Sequence, residues 1–466
     1  MSSPATAPPA QLPCSASLRQ PVRQGDTRPI AWRLQQLERL ERGLQQHETA
    51  VLAALAADLG KPEVEAWFEL VAVRQEIDLC RRRLRRWMAP RPVAVPLSLR
   101  PGRAEVIAEP LGCVLIIGPW NYPLSLTLQP LVSALAAGNT AILKPSEQAP
   151  ATAAVLERII QAAFAGNSVL VAQGDGTVAQ ALLEQPFDHI FFTGGERVGR
   201  LVMAAAARHL TPVTLELGGK SPAVVLNDAD LDVTARRLVW GKALNAGQTC
   251  IAPDHLLVQR GVVDSLVERM GARIEACFGP DPLQSPDLAT IVNGAQFQRL
   301  AALLEGARLN GRILRGGSID PSRRRIAPTL IRVDDPNDPL MAEEIFGPLL
   351  PVLTVDTLDE AIASIQRRPR PLALYLFSRS DHAQRRILQG TSSGGVCIND
   401  VVLQVGIPDL PFGGVGPSGI GSYHGQAGFD TFSHLRSVLR RPFRLDLPFR
   451  YPPYAGKLPL VRRLLG

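Results

Sequence analysis

The strongest constraint on this chain is the way short apolar runs alternate with helical patterns, twice over. Residues 113–117, 140–143, 169–172 and 189–193 are brief and nearly all apolar. Segments 126–137, 151–164, 178–183 and 198–208, which follow them in turn, carry apolar residues at helical spacing. A strand that is apolar on both faces must be covered on both, and helices between parallel strands do this. A second series runs from Ala223 to Asn399. It has strands at 223–226, 255–258, near 329 and 350, and at 372–377 and 396–399. Its helices fall at 232–244, 262–278, 295–307, 358–366 and 382–388. The expectation is an α/β chain with two doubly wound parallel-sheet domains. The first is a Rossmann-type nucleotide-binding layer, with ligands at the carboxyl ends of its strands. No internal repeat is visible.

Upstream, Thr27 caps a predicted helix with Pro29 in its first turn, and Ile30, Leu34, Leu37 and Leu44 recur at helical spacing. Helical pattern continues over 51–59 and 63–87, until Pro90, Pro92, Pro96 and Pro101 break it. Residues 93–108 read as an extended arm or hairpin. Residues 1–18 read as a disordered leader, rich in Ser, Pro and Ala and without the basic start and apolar core of a secretory signal. The expected division is 19–90 with 107–217 for the cofactor domain and 218–399 for the catalytic domain. An oligomerisation arm takes 91–106 with 400–445, and 446–466 form a basic tail.

A net charge of +7 on 466 residues is modest, and no nucleic-acid partner is read from it. The six cysteines stand singly with no C-x-x-C pair, so no zinc site or redox dithiol is indicated, and reduced thiols suit a cytoplasmic setting. No apolar run is long enough to span a membrane. Between His434 and Gly466 eight Arg and Lys residues face one acid, Asp446. With Phe449, Tyr451, Tyr454, Leu458, Leu460 and Leu464, this tail is either a weak contact for an anionic membrane surface or a solvated, packed extension.

The chemistry concentrates between Thr214 and Cys250. Cys250 ends Asn245-Ala246-Gly247-Gln248-Thr249-Cys250. Small neighbours leave room for a ligand, and Asn245 and Gln248 are unusual company for a core thiol, so a nucleophile competes with a buried hydrophobe. Glu216 interrupts the apolar Val213, Leu215 and Leu217. Such a charge is either a general base or half of an ion pair. Asn121, after the first strand, is an oxyanion donor or a turn asparagine. Lys144 and Glu147 hold a ribose or are solvated charges. The segment from Gly194 to Gly199 opens a helix and favours phosphate, or is a plain glycine turn; no G-x-G-x-x-G is present.

Together these segments resemble the aldehyde dehydrogenase superfamily over about residues 18–453. The resemblance rests on Pro119-Trp120-Asn121-Tyr122-Pro123, Leu143-Lys144-Pro145-Ser146-Glu147, Phe192-Thr193-Gly194, Leu215-Glu216-Leu217-Gly218-Gly219-Lys220, Gly247-Gln248-Thr249-Cys250 and Glu343-Glu344-Ile345-Phe346-Gly347-Pro348. The closer match is to the class 3 branch of fatty, benzaldehyde-type and coniferyl aldehyde dehydrogenases. It is carried by Leu410-Pro411-Phe412-Gly413-Gly414, Gly421-Ser422-Tyr423-His424-Gly425 and Thr431-Phe432-Ser433-His434.

The resemblance implies NAD(P)-dependent oxidation of an aldehyde to an acid through a cysteine thiohemiacetal and thioester. Cys250 is then the nucleophile, Glu216 the base and Asn121 the oxyanion donor. Cofactor contacts fall on Trp120, Lys144, Glu147, Gly194, Gly195, Glu196, Val198, Gly199, Leu217, Glu344 and Phe346. Tyr122 and Phe412 line the substrate path. NAD is expected over NADP, because Glu147 accepts from a ribose hydroxyl and repels a 2′-phosphate. The implied substrate is a medium or long aliphatic, or an aromatic, aldehyde, the implied assembly a homodimer, and no metal is implied. One departure stands out: Gly195 replaces the serine usual after the glycine matching Gly194, and Glu196 adds negative charge near phosphate. Transfer of the thioester to coenzyme A, or a non-catalytic binding role, stays open at this level.

Overall fold

The computed structural model describes residues 12–165, 168–444 and 446–465. Two open, mainly parallel sheets organise the chain. The strands, in chain order, are β1 Arg91–Val93, β2 Arg103–Pro110, β3 Cys113–Ile117, β4 Thr140–Lys144, β5 Val169–Val171 and β6 His189–Thr193. β7 Val213–Glu216, β8 Pro222–Val225, β9 His255–Gln259, β10 Ile313–Arg315, β11 Ile319–Asp320 and β12 Arg325–Ile326 follow. The last six are β13 Thr329–Arg332, β14 Leu349–Val355, β15 Ala373–Phe377, β16 Gly395–Ile398, β17 Gly419–Ile420 and β18 Ser433–Arg440. The first sheet has the order β17-β7-β6-β3-β4-β5 and the second β10-β13-β14-β9-β8-β15-β16. Only β17 and β10 run antiparallel to their neighbours. The chain passes from the first sheet to the second through Leu217–Ser221.

Every residue of β3, β4 and β6 is buried, as strands covered on both faces require. Helix Ser125–Ala137 is buried all round and joins one apolar cluster with the long helix Glu63–Met88 and strands β3 and β4. Registers Ile117↔Lys144, Ile117↔Phe192 and Thr193↔Glu216 align the carboxyl ends of β3, β4, β6 and β7 on one edge. The segments that carry Asn121, Lys144, Gly194 and Glu216 therefore leave the sheet side by side.

The arm is a hairpin of β1 and β2, and β18 pairs along the whole of β2 to give a third, antiparallel sheet. β18 escaped sequence analysis because its side chains are mostly exposed and carry no apolar alternation.

The leader is corrected. Residues 1–11 lie outside the described part, but Ser15–Gln24 is a helix rather than disordered chain. Leu18, only 4% exposed, packs into the cluster with Cys113, Leu115 and Ile142. Arg19 Nε donates to Asp188 Oδ2 at 2.7 Å, and the same oxygen accepts from Cys113 N at 2.8 Å. Ser15, Leu18 and Val22 form the buried face that docks this short helix, and Arg19 ties its flank to Asp188.

The cap is also corrected. The helix Ile30–Gln46 has Pro29 at its N-cap and no side-chain cap. Thr27 is buried, and its carbonyl accepts from Arg33 Nε at 3.3 Å, while Arg33 Nη1 reaches the Ala136 carbonyl at 3.0 Å. The buried guanidinium organises this corner in place of a threonine cap. At the other end the basic tail contains a helix, Leu458–Leu465. Among the described residues no helix is long and apolar enough to cross a membrane.

Candidate active site

Cys250 is set by a strained turn. Helix Leu231–Ala243, capped by Asp230 through Val233 N, ends in Leu244–Gly247. There Asn245 (φ 51°) and Ala246 (φ 53°) are left-handed, a conformation that costs a non-glycine residue about 1–3 kcal/mol and needs holding. Asn245 N donates to Glu65 Oε2 at 2.9 Å. Gln248 Nε2 donates to the carbonyls of Asn245 (3.0 Å) and Thr290 (2.9 Å), and its Oε1 accepts from Val292 N at 3.0 Å. The polar neighbours that look odd around a cysteine are the clamps of its loop.

A cavity of about 880 Å³ is bordered by Trp120, Asn121, Leu217, Cys250, Glu344 and Phe346, together with the turn at Gly194–Arg197. The Trp120 and Phe346 rings meet edge to face at 5.2 Å. Asn121 Nδ2 donates to the Gln248 carbonyl at 3.1 Å. An amide nitrogen carries two hydrogens, so one bond ties Asn121 to the cysteine loop and the other N–H is left for a ligand.

Glu216 ends β7 at 2% exposure, and neither carboxylate oxygen has a partner. The ion pair that sequence analysis held open is not formed. Burial alone drives its pKa well above the usual carboxylate range. Glu344 is pushed up to about 8, first by burial and then by Asp254. Its carboxyl lies against the Gly218 turn, where a Cβ would come within 2.1 Å of Oε2. The Cys250 thiol is also raised, by burial first and then by the charges of Glu344 and Glu216.

On the cofactor side, helix Glu196–Ala207 begins at Gly195 with no side-chain cap, leaving its leading N–H groups open to an anion. A Cβ at Gly194 would strike the Phe192 ring at 2.5 Å, whereas one at Gly195 would meet nothing within 4 Å. The missing serine is thus a lost contact and not a packing requirement. Glu196 does not add a bare charge, because its carboxylate pairs with Arg200 at 2.6 Å, one helical turn away. Gly199 packs under Leu217, while Val198 is part-exposed and does not border the cavity. These open donors and the glycine approach fit a dinucleotide.

Several expected residues stand outside that cavity. Lys144 is buried and binds the Pro145 carbonyl (2.8 Å) and Glu147 Oε2 (3.2 Å). Tyr122 shares a 2.8 Å hydrogen bond with Thr249 Oγ1. Phe412 stacks on His424 at 5.6 Å. Glu216 is likewise not a lining residue, though its charge reaches Cys250. Among the described residues no group of His, Cys, Asp and Glu could hold a metal ion. Lys61, Glu65 and Glu69 were not legible in the sequence, because their contacts with the backbone of Asn121, Leu124 and Asn245 span about 55 to 180 positions.

The profile described as "Aldehyde dehydrogenase family" matches residues 16–438. The chain belongs to this family. It is 45% identical to "Aldehyde dehydrogenase family 3 member H1" of Arabidopsis thaliana, over 96% of this chain and 93% of that protein. It is also 45% identical to "Aldehyde dehydrogenase, dimeric NADP-preferring" of Rattus norvegicus, over 95% and 97%. The solved structure "Substrate bound state of Staphylococcus Aureus AldH" superposes with a TM-score of 0.93 at 42% identity, covering 97% of this chain and 98% of that one. This aldehyde dehydrogenase is thus of the class 3 branch, an oxidoreductase that oxidises aldehydes with NAD(P).

The unpaired, buried Glu216 has a consequence for stability. A carboxyl whose folded pKa is raised contributes stability that is fully present below about pH 4.5 and lost as pH climbs toward the folded value. Glu216→Gln removes that loss. The stability of the variant relative to wild type should therefore rise as pH increases above about 5, measured by urea unfolding. A difference that stays flat with pH would show that Glu216 is solvated or paired.

Proposed function

We propose that Cys250 is the nucleophile, Asn121 an oxyanion donor and Glu216 the base of a hydrolytic aldehyde oxidation. The observation that carries this reading is the meeting of three features. Cys250 and Asn121 border one cavity, Asn121 keeps one N–H free, and Glu216 is buried without a partner yet close enough to shift the thiol. The Cys250 thiolate adds to the carbonyl carbon, and the oxygen becomes an oxyanion held by Asn121 Nδ2 and the backbone N–H of Cys250. A nicotinamide bound in the cavity would supply the hydride acceptor, and loss of hydride from the adduct would leave a thioester on Cys250. Glu216 then takes a proton from water as the water adds to the thioester, and the acid leaves with the thiol restored.

In this reading the open helix start at Gly194–Gly199 holds the pyrophosphate. Lys144 and Glu147 hold the adenosine ribose, and Glu344 the nicotinamide ribose, with Trp120, Leu217 and Phe346 beside the ring. Glu147 favours NAD. Tyr122 and Phe412 line the path of a medium or long aliphatic, or an aromatic, aldehyde. Residues 218–399 form the catalytic domain and 19–90 with 107–217 the cofactor domain.

The test is reduced-cofactor formation and acid release from hexanal, decanal and benzaldehyde, with NAD and with NADP, in the absence of coenzyme A. Cys250→Ala should fall to background, and Asn121→Ala should lose about a hundredfold to a thousandfold in kcat while staying folded. Full activity in Cys250→Ala, or acid release only with coenzyme A, would overturn the assignment.

For assembly, the exposed Leu97, Leu99, Leu435 and Leu439 on and beside the third sheet support a homodimer, as does the dimeric name of the Rattus relative. The helix Leu458–Leu465 carries Arg462 and Arg463, and exposed Tyr451, Tyr454, Leu458 and Leu460 lie on and before it. The side chains of Phe449 and Leu464 lie outside the described residues. This composition supports weak contact with an anionic membrane surface. In sedimentation, the full chain and a chain ending at 445 should both run as dimers. Only the full chain should pellet with phosphatidylserine vesicles. Monomers, or equal pelleting of both, would remove the corresponding assignment.

A further inference from the structure

Lys61 and Glu69 form an ion pair at 2.5 Å with both side chains fully buried. Burying two charges is costly, and such a pair is a poor device for stability compared with apolar residues of the same volume. Its contacts point elsewhere. Lys61 Nζ donates to the backbone carbonyl of Asn121 at 2.8 Å and stands 3.9 Å from the centre of the Tyr122 ring. Glu69 Oε2 accepts from Leu124 N and Ser125 N, each at 3.0 Å, and from Ser125 Oγ at 3.4 Å. The two charges therefore grip opposite ends of one short loop, Asn121 to Ser125, which joins β3 to the next helix.

A second donor completes the grip. Asn245 Nδ2 reaches the same Asn121 carbonyl at 2.8 Å. A carbonyl oxygen offers two lone pairs, so Lys61 and Asn245 together saturate it. The main chain of Asn121 is then fixed from one side and its side-chain amide from the other, by the Gln248 carbonyl. One N–H of the amide is left, and its direction is set by these four groups.

We propose that the Lys61–Glu69 pair positions Asn121, aiming its remaining N–H at the oxygen of the reacting carbonyl. Lys61 and Glu69 are positioning residues that touch no substrate and act only through Asn121. The proposal rests on the oxyanion role of Asn121 given above.

A double-mutant cycle tests it. Replacing both charges at once, Lys61→Met with Glu69→Gln, avoids leaving either buried and alone. In the otherwise wild-type chain this should lower kcat about a hundredfold, the scale of a slightly misplaced catalytic group, with little change in KM. In the Asn121→Ala background the same pair of changes should cost less than about twofold, because the group they aim is gone. A merely structural role would give losses that multiply.

Multiplying losses in this cycle, or a pair variant with wild-type kcat, would overturn the proposal and leave the oxyanion role intact. Wild-type kcat in Asn121→Ala alone would remove that role and this proposal with it.

Discussion

The hydrogen bond from Asn121 Nδ2 to the Gln248 carbonyl joins loops that belong to different sheets. Asn121 follows β3 of the first sheet, and Gln248 and Cys250 lie between β8 and β9 of the second. Neither loop is held by a strand ladder at this point. Asn245 and Ala246 adopt left-handed backbone angles, which only the surrounding hydrogen bonds of Glu65 and Gln248 make tolerable. The site is therefore built at a seam, from two loops that are rigid because they are bonded to each other and to the helix Glu63–Met88.

Low dielectric at this seam governs the chemistry. Glu216, Glu344 and Cys250 are all shifted toward their protonated forms, with burial the largest cause in each. Groups shifted in this way respond to a change of environment. A cation in the cavity would favour the thiolate, and admitted water would favour ionised Glu216. The same effect makes the unpaired Glu216 expensive to fold.

Much of the fold was legible because its strands are fully buried. Runs such as Cys113–Ile117 and His189–Thr193 are short and largely apolar, as covered strands are, and their alternation with helices points to parallel sheets. Glu216 was legible for the converse reason, as a charge in an apolar strand. Elements whose stability comes from distant partners were not legible. β18 is an exposed strand that exists only because β2 offers its edge. The first helix is secured by Asp188, far along the chain. Lys61 and Glu69, one just before a helix and one inside it, carry no sequence pattern that singles them out, and only the fold buries them as a pair. Glu196 looked like repulsion near phosphate because pairing with Arg200 depends on where the helix starts.

The most direct test of the central claim is to trap the covalent intermediate. Glu216→Gln protein, mixed with decanal and NAD and quenched in acid, is digested and its cysteine peptides are weighed. The peptide bearing Cys250 should gain the mass of the aldehyde less two hydrogens, and Cys250→Ala should show no such adduct. An adduct on another cysteine, or reduced cofactor formed without any adduct at Cys250, would contradict the assignment of Cys250 as nucleophile and Glu216 as the base that clears it.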